Sequence, residues 1–260
     1  MLRRKLIRSG AGLVDDFRWR SVESTRLEGL TDAVFGFALT LLVVSLEVPR
    51  TFDELLASVR DFPAFAITFG ILIIIWYEHY KFFRRYGLEN RNIIVLNAIL
   101  LFQIVFYMYP LKFLFTLSLR GLTGGDLLVS GPGGALIPMI EEGQQQTLVY
   151  LFSAGWISVW FTYALMFWQA LQARERLELN ELEVLNTRFS VFENLIGVGV
   201  GILAILLTRA ASPSQSITLA GLCYLMMIPI TWAIQRASQK QKQALRRRLS
   251  VEDLGASEPG

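Results

Sequence analysis

Thr25-Arg26-Leu27-Glu28-Gly29-Leu30-Thr31-Asp32, continued by the apolar run from Ala33 to Leu46, is the stretch that decides the fold. Thr25 and Glu28 stand at capping-box spacing, which places a helix start at about Arg26. From there no proline interrupts the chain, and after Asp32 no charge appears until Glu47. About 20 apolar residues cross a bilayer, so the stretch spans one if its first turn lies among the head groups. An ionisable residue at the edge of such a span is costly unless it is partnered. Asp32 is therefore a functional-site candidate.

The composition points the same way. Of 260 residues 53% are hydrophobic and only 18% charged, whereas soluble chains are about a quarter charged. With a mean hydropathy of +0.44, this describes an all-α integral membrane protein. The net charge is +3, and the pI of about 9.1 comes from basic clusters at the ends and in loops. That distribution suits the cytoplasmic side of a membrane protein and not nucleic-acid binding. The single cysteine, Cys223, lies in an apolar run; an internal disulfide and a Cys-rich metal site are both excluded. No cleavable signal peptide is expected, because the first apolar run comes late and is long.

Six spans follow along the chain. Residues 1–24 form a basic, partly aromatic tail with Arg3, Arg4, Lys5 and Arg8, expected to rest on anionic head groups. Helix one ends at Glu47-Val48-Pro49, and Arg50 to Asp61 reads as a short polar connection. Helix two is expected from Pro63, a good first-turn residue, to about Arg85, with a stop at Gly87. Helix three runs from Asn90 to about Leu117 with a kink or end near Pro110. Arg120 to Gln146 is glycine-rich and reads as a surface loop. Helix four covers Thr147 to Gln172, and the charged stretch Arg174 to Arg188 an amphipathic extension or linker. Helix five covers Phe189 to Thr208, where Gly197 and Gly201 share a face suited to close helix packing. Helix six covers Ile217 to Arg236, with Pro229 as a kink. The basic tail 240–260 extends it and loses order from about Glu252. Residues 25–239 are then one membrane domain between two cytoplasmic tails. Lys and Arg concentrate before helix one, after helices two and four, and at the C-terminus, so both termini should be cytoplasmic.

No enzyme signature appears: there is no phosphate loop, no nucleophile elbow and no paired catalytic carboxylate within a span. His79 is the single histidine, so no multi-histidine metal site forms, and no cofactor is implied. The carboxylates at or within the spans are Asp32, Glu78 and Glu193. Arg26 and Asp32, six residues apart, fall on different faces of their helix, so neighbouring helices must supply partners. Trp76 and His79 share a face of helix two, and Asn97 on helix three lies at the same depth. These groups are either an interfacial belt with solvated charges or a polar network that pins the start of helix one.

Arg26-x-x-x-Leu30-Thr31-Asp32 resembles the Arg-x-x-x-Phe-Ser-Asp signature that opens the first helix of the endolysosomal potassium-channel family, the transmembrane protein 175 type, and its bacterial six-helix branch. Leu30 stands for Phe and Thr31 for Ser; both keep the chemical type. Trp76-x-x-His79-x-x-x-Phe83 with Arg84 and Arg85, then Asn97-x-x-Leu100 and Pro110, resemble the family's second and third helices. The likeness covers roughly residues 26 to 115. It implies a homotetramer in which helix one lines a central pore, braced from behind by Arg26, Leu30, Thr31, Asp32, Trp76, His79 and Asn97. It also implies an apolar constriction at Phe37, Leu41 and Val44, with Thr40 beside them. Phe37 stands where the family generally has Ile or Leu. Spacings of four and three put the constriction residues on one stripe.

The function implied is passive permeation of cations, potassium first, through a hydrophobic pore without a carbonyl filter, since the chain holds no Thr-Val-Gly-Tyr-Gly-like loop. The implied setting is a bacterial plasma membrane. The partners are further copies of the chain, monovalent cations and membrane lipids. Two other readings compete: a proton-coupled or other secondary transporter built on Asp32 and His79, and a non-conducting scaffold.

Overall fold

In the computed structural model, residues 13–14, 17–20, 25–44, 49–124, 127–131, 135–141 and 143–256 are described. The start of the basic N-terminal tail, with Arg3, Arg4, Lys5 and Arg8, and the expected end of helix one at Glu47 lie outside them. The described residues are mostly helical. The helices are α1 (Arg26–Val44), α2 (Phe52–Tyr86), α3 (Arg91–Thr123), α4 (Gln144–Gln172), α5 (Glu181–Ala210), α6 (Pro213–Leu225) and α7 (Met227–Ala256). Two small antiparallel hairpins complete the described elements: β1 (Leu13–Val14) with β2 (Phe17–Arg18), and β3 (Leu128–Ser130) with β4 (Leu136–Pro138). Among the described residues six segments are long and apolar enough to cross a membrane, the sixth being Pro213–Leu249, made of α6 and the first part of α7.

The helix ends follow local chemistry. Thr25 and Glu28 form the expected capping box: Thr25 Oγ1 accepts from the Glu28 amide at 3.2 Å, and Glu28 accepts from the Thr25 amide at 2.7 Å. α2 begins eleven residues before the expected Pro63, because Thr51 and Glu54 form a second capping box at Phe52. Pro63 sits inside the helix; it forfeits one backbone bond without ending the helix. α3 likewise continues through Pro110 to Thr123, held by buried Leu111 and Leu117, and stops at Gly124 in the left-handed region. The expected loop from Arg120 is thus partly helix, then the β3–β4 hairpin. After α4 the chain makes turns over 173–178, and the Asn180–Glu183 capping box starts α5 ahead of the expected Phe189. The kink expected at Pro229 is a break at Met226, since Pro229 has no amide to donate to the Leu225 carbonyl. α7 carries on to Ala256, past Glu252 where order was expected to end.

α1 packs on α2 and α3, α3 on α2 and α4, and α5 on α4, α6 and α7. The main core joins Phe35, Leu42, Leu72, Phe82, Leu100 and Phe167. A second core of Val149, Val200, Ala204, Ala220 and Cys223 fixes α4, α5 and α6. Close approach there requires glycine. A Cβ on Gly201 would lie 2.6 Å from Ile157, and one on Gly155 would lie 2.2 Å from the Tyr107 ring. The remaining surface is largely apolar, with Phe102 72% and Phe106 61% exposed, as expected where lipid is the solvent.

Candidate functional site

α1 has two unlike faces. Glu28, Thr31, Phe35, Ala38 and Leu42 recur every three or four residues and are buried against α2 and α3. Leu30, Phe37 and Val44 on the other side are 55%, 58% and 74% exposed, and Gly29, Ala33, Gly36 and Thr40 are exposed with them.

The buried face carries a directional chain of hydrogen bonds. Thr31 Oγ1 donates its one proton to the Leu27 carbonyl at 2.9 Å. It can therefore only accept from a neighbour, and Asn97 Nδ2 on α3 donates to it at 2.9 Å. That fixes the Asn97 amide, whose Oδ1 faces His79 Nε2 on α2 at 2.9 Å. An amide oxygen only accepts, so His79 carries its proton on Nε2. All three side chains are essentially buried. The His79 ring lies 4.4 Å from Phe83 and 6.5 Å from Phe35, centroid to centroid, which fixes its plane. One hydroxyl, one amide and one imidazole thus join three helices.

A second layer lies at the rim. Trp76 Nε1 donates to Asp32 Oδ1 at 2.8 Å in an exposed setting. Trp76 stacks on Tyr80, and Arg84 lies over Tyr80 and Trp19. Asp32 and His79 are not bonded to each other; each belongs to a separate layer.

The sequence candidates therefore divide. Thr31, Asn97 and His79 form the inner layer, and Asp32 with Trp76 the outer one. Arg26 is exposed and makes no hydrogen bond or ion pair among the described residues, and Leu30 stands on the uncovered face. Among the four constriction candidates, Phe37, Thr40 and Val44 are on the uncovered face, with Thr40 Oγ1 turned onto the Phe37 carbonyl at 2.7 Å. Leu41 differs: it is half-buried and packs on the main core.

Sequence reasoning missed a third set. Glu183, whose side chain is fully buried, receives Arg18 at 2.9 Å and Arg20 at 2.7 Å. Its hydrogen bonds hold the Arg18 pKa above its ordinary value, the cost of burial notwithstanding. Arg20 also donates to the Leu177 carbonyl at 2.9 Å, and its amide to the Arg84 carbonyl at 3.0 Å. The strand before α1 is thereby strapped to the ends of α2 and α5. The Asn180-x-x-Glu183 spacing marked the helix start; nothing local marked the arginines. Farther along, Asp61 pairs with Arg120 across α2 and α3.

Residues 26–107 match the family described as endosomal/lysosomal potassium channel TMEM175. A protein of Marivirga tractuosa named potassium channel is 34% identical over 244 residues, covering 93% of this chain and 98% of its own. A crystal structure of a variant of the potassium channel MtTMEM175, in complex with a nanobody–MBP fusion protein, superposes with a TM-score of 0.72 and 33% identity. It covers 88% of this chain and all of that one. A lysosomal potassium-selective channel TMEM175 homologue from Chamaesiphon minutus shares the fold, at a TM-score of 0.53 and 16% identity, over 80% of this chain and 96% of that one.

Proposed function

The chain belongs to the endosomal/lysosomal potassium channel TMEM175 family, and from that premise we propose that it is a homotetrameric potassium channel of a bacterial plasma membrane, with α1 of each copy lining the pore and both termini cytoplasmic. The observation that carries the reading is the contrast between the two faces of α1. One face is fixed by buried hydrogen bonds to α2 and α3; the other leaves Phe37, Thr40 and Val44 exposed among the described residues. A pore lined by one helix per copy needs several copies, and closed rings are the usual solution. From Phe37 to Val44 the axial rise is about 10 Å, long enough for an apolar constriction that gates by dewetting. Phe37 and Val44 form its walls, Thr40 supplies a hydroxyl between them, and Leu41 serves as the hinge between wall and core. Thr31, Asn97 and His79, with Asp32 and Trp76 outside them, brace the helix from behind. Arg26 and Leu30 face the neighbouring copy.

The transporter reading is less favoured by the same geometry. A proton path through Asp32 and His79 needs the two in communication, yet His79 is 1% exposed and bonded to Asn97, while Asp32 is bonded to Trp76 at the rim.

Purified protein in planar bilayers should carry a passive potassium current, and Phe37→Ala should raise unit conductance severalfold. Silence in both proteins, each shown to be folded and inserted, refutes the channel. Saturable counterflow that depends on Asp32 refutes it in favour of a transporter.

A further inference from the structure

The β3–β4 hairpin belongs to none of the six spans, yet its sequence is apolar. From Leu127 to Ile140 the chain carries no charge; Asp126 precedes this stretch and Glu141-Glu142 follow it. The backbone pairs with itself. Leu128 lies opposite Pro138, Val129 opposite Ile137 and Ser130 opposite Leu136. The Gly131 amide donates to the Ala135 carbonyl and the Met139 amide to the Leu127 carbonyl, both at 2.8 Å. Residues opposite one another share a face. Leu128, Leu136 and Pro138 therefore stand with Ser130 on one face, and Val129 and Ile137 with Leu127 and Met139 on the other. Leu128 and Leu136 are 44% and 64% exposed, and Pro138 is exposed beside them. A two-stranded hairpin alone in water is marginal, and this one shows its solvent mostly hydrocarbon.

The depth of the hairpin follows from α3. Asn97 is level with Thr31, to which it donates, at the edge of the α1 span. Arg120 lies 23 residues farther along α3, about 34 Å at 1.5 Å per residue. A hydrocarbon core is about 30 Å thick. Arg120 therefore stands among the head groups of the leaflet opposite the Asp32 layer, where it pairs with Asp61. Arg120 also donates to the Met139 sulfur at 3.5 Å, which ties the hairpin to that level. α4 starts at the same edge: Gln146 in its first turn donates to the Thr208 and Ala211 carbonyls at the end of α5, at 3.3 and 3.2 Å.

We propose that the β3–β4 hairpin is a membrane anchor, whose Leu128, Leu136 and Pro138 face sinks into the boundary between head groups and acyl chains of that leaflet. The face with Met139 is turned to Arg120, which leaves the opposite one for lipid. The backbone sets how deep the hairpin goes. The inner edges of β3 and β4 satisfy one another, but their outer edges carry amides and carbonyls that hydrocarbon cannot satisfy. The hairpin therefore lies at the boundary, with those edges among the head groups, and does not cross. A protein partner fits the surface less well. Protein interfaces surround an apolar centre with a polar rim, whereas here the charges stand only at the two strand ends. The proposal rests on the six spans lying in a membrane and is independent of the pore reading.

The test is a nitroxide spin label on Leu136→Cys in the full-length protein, with Cys223→Ala removing the native thiol, in phosphatidylcholine nanodiscs. Collisions of the label with oxygen, which concentrates in lipid, and with a water-soluble nickel chelate are read by power saturation. Labels on Phe102→Cys, 72% exposed in mid-span, and on Gln243→Cys, exposed beyond the sixth span, give the lipid and water references. The label at 136 should follow the lipid reference, at a depth of about 5–10 Å below the head-group surface. Adding Leu128→Asp should lift it and raise nickel collisions at least about threefold. Nickel collisions already equal to the water reference overturn the proposal, because the hairpin then stands in water. Low collisions with both reagents overturn it too, because a second copy then covers the face. A label indifferent to Leu128→Asp also overturns it. Leu136 is exposed, so its replacement leaves the core intact; thermal unfolding confirms this for each labelled protein before its spectrum is read.

Discussion

Replacing Asn97 with leucine removes two hydrogen bonds from a buried site. The Thr31 oxygen loses its donor, and the His79 Nε2 proton loses its acceptor. A hydrogen bond in a soluble protein contributes about 0.5–1.5 kcal/mol net. Between membrane helices the measured average is about 0.6 kcal/mol and the maximum about 1.7 kcal/mol. The membrane figures govern here, because the unfolded reference stays in lipid, and two bonds at those values put Asn97→Leu at about 1.2–3.4 kcal/mol. Thr31→Val is nearly isosteric and severs only the Asn97 bond between helices, at about 0.6–1.7 kcal/mol. In the Asn97→Leu background that bond is already gone, so Thr31→Val should cost almost nothing further. The coupling in a double-mutant cycle should equal the single bond, about 0.6–1.7 kcal/mol. The assay is reversible unfolding of the purified protein in mixed micelles by increasing dodecyl sulfate, on all four proteins. Independent sites add within about 0.3–0.5 kcal/mol; additivity of that quality would mean that Thr31 and Asn97 are not bonded, and the account of how α1 is fixed would fall. Trp76→Phe in the same assay should cost less than Asn97→Leu, because its bond to Asp32 is exposed.

Three further outcomes are expected. Glu183→Ala strands two arginines, one of them 3% exposed, and should cost about 3–5 kcal/mol; thermal unfolding measures it, and a shift equal to that of a surface variant would discount the strap. Gly155→Ala places a methyl 2.2 Å from the rigid Tyr107 ring and should cost about 1–3 kcal/mol in the micelle assay, whereas Gly199→Ala, which meets nothing within 4 Å, should be neutral or slightly stabilising. Gly87→Ala forces a side chain into the left-handed conformation at φ 54° that ends α2, at about 1–2 kcal/mol; faster hydrogen exchange at the last turn of α2 is the local signature.

Much of the fold was legible because its signals are local. The Thr25–Glu28 capping box and the uninterrupted run after Asp32 marked α1, and Gly87 marked the end of α2. The same local rule applied to Thr51 and Glu54 marks the true start of α2; Pro63 drew the reading away from it. Two prolines were over-read: Pro63 and Pro110 both lie inside helices, because packing outweighs one lost backbone bond, whereas Pro213 opens α6 and Pro229 follows the break at Met226. The inner layer of the site was legible in its members but not in its pairing. Depth and face put Asn97 and His79 near α1, yet only coordinates show that Thr31 receives Asn97 while Asp32 receives Trp76. The strap from Arg18 and Arg20 to Glu183 was illegible for a plain reason: about 165 residues separate the partners, and an arginine in a basic tail looks the same whether it is solvated or paired. Leu41 illustrates the limit of a stripe argument. It shares a stripe with Phe37 and Val44 by spacing, but it stands at the edge of the buried face and turns into the core.

The central claim is that the uncovered face of α1 meets its own copies around an axis. A density map of the purified protein in lipid nanodiscs, viewed along the membrane normal, tests it most directly. The account predicts a fourfold ring with the α1 helices innermost and Phe37 and Val44 nearest the axis. A map with α1 against lipid at the periphery, or with single protomers alone, would contradict it.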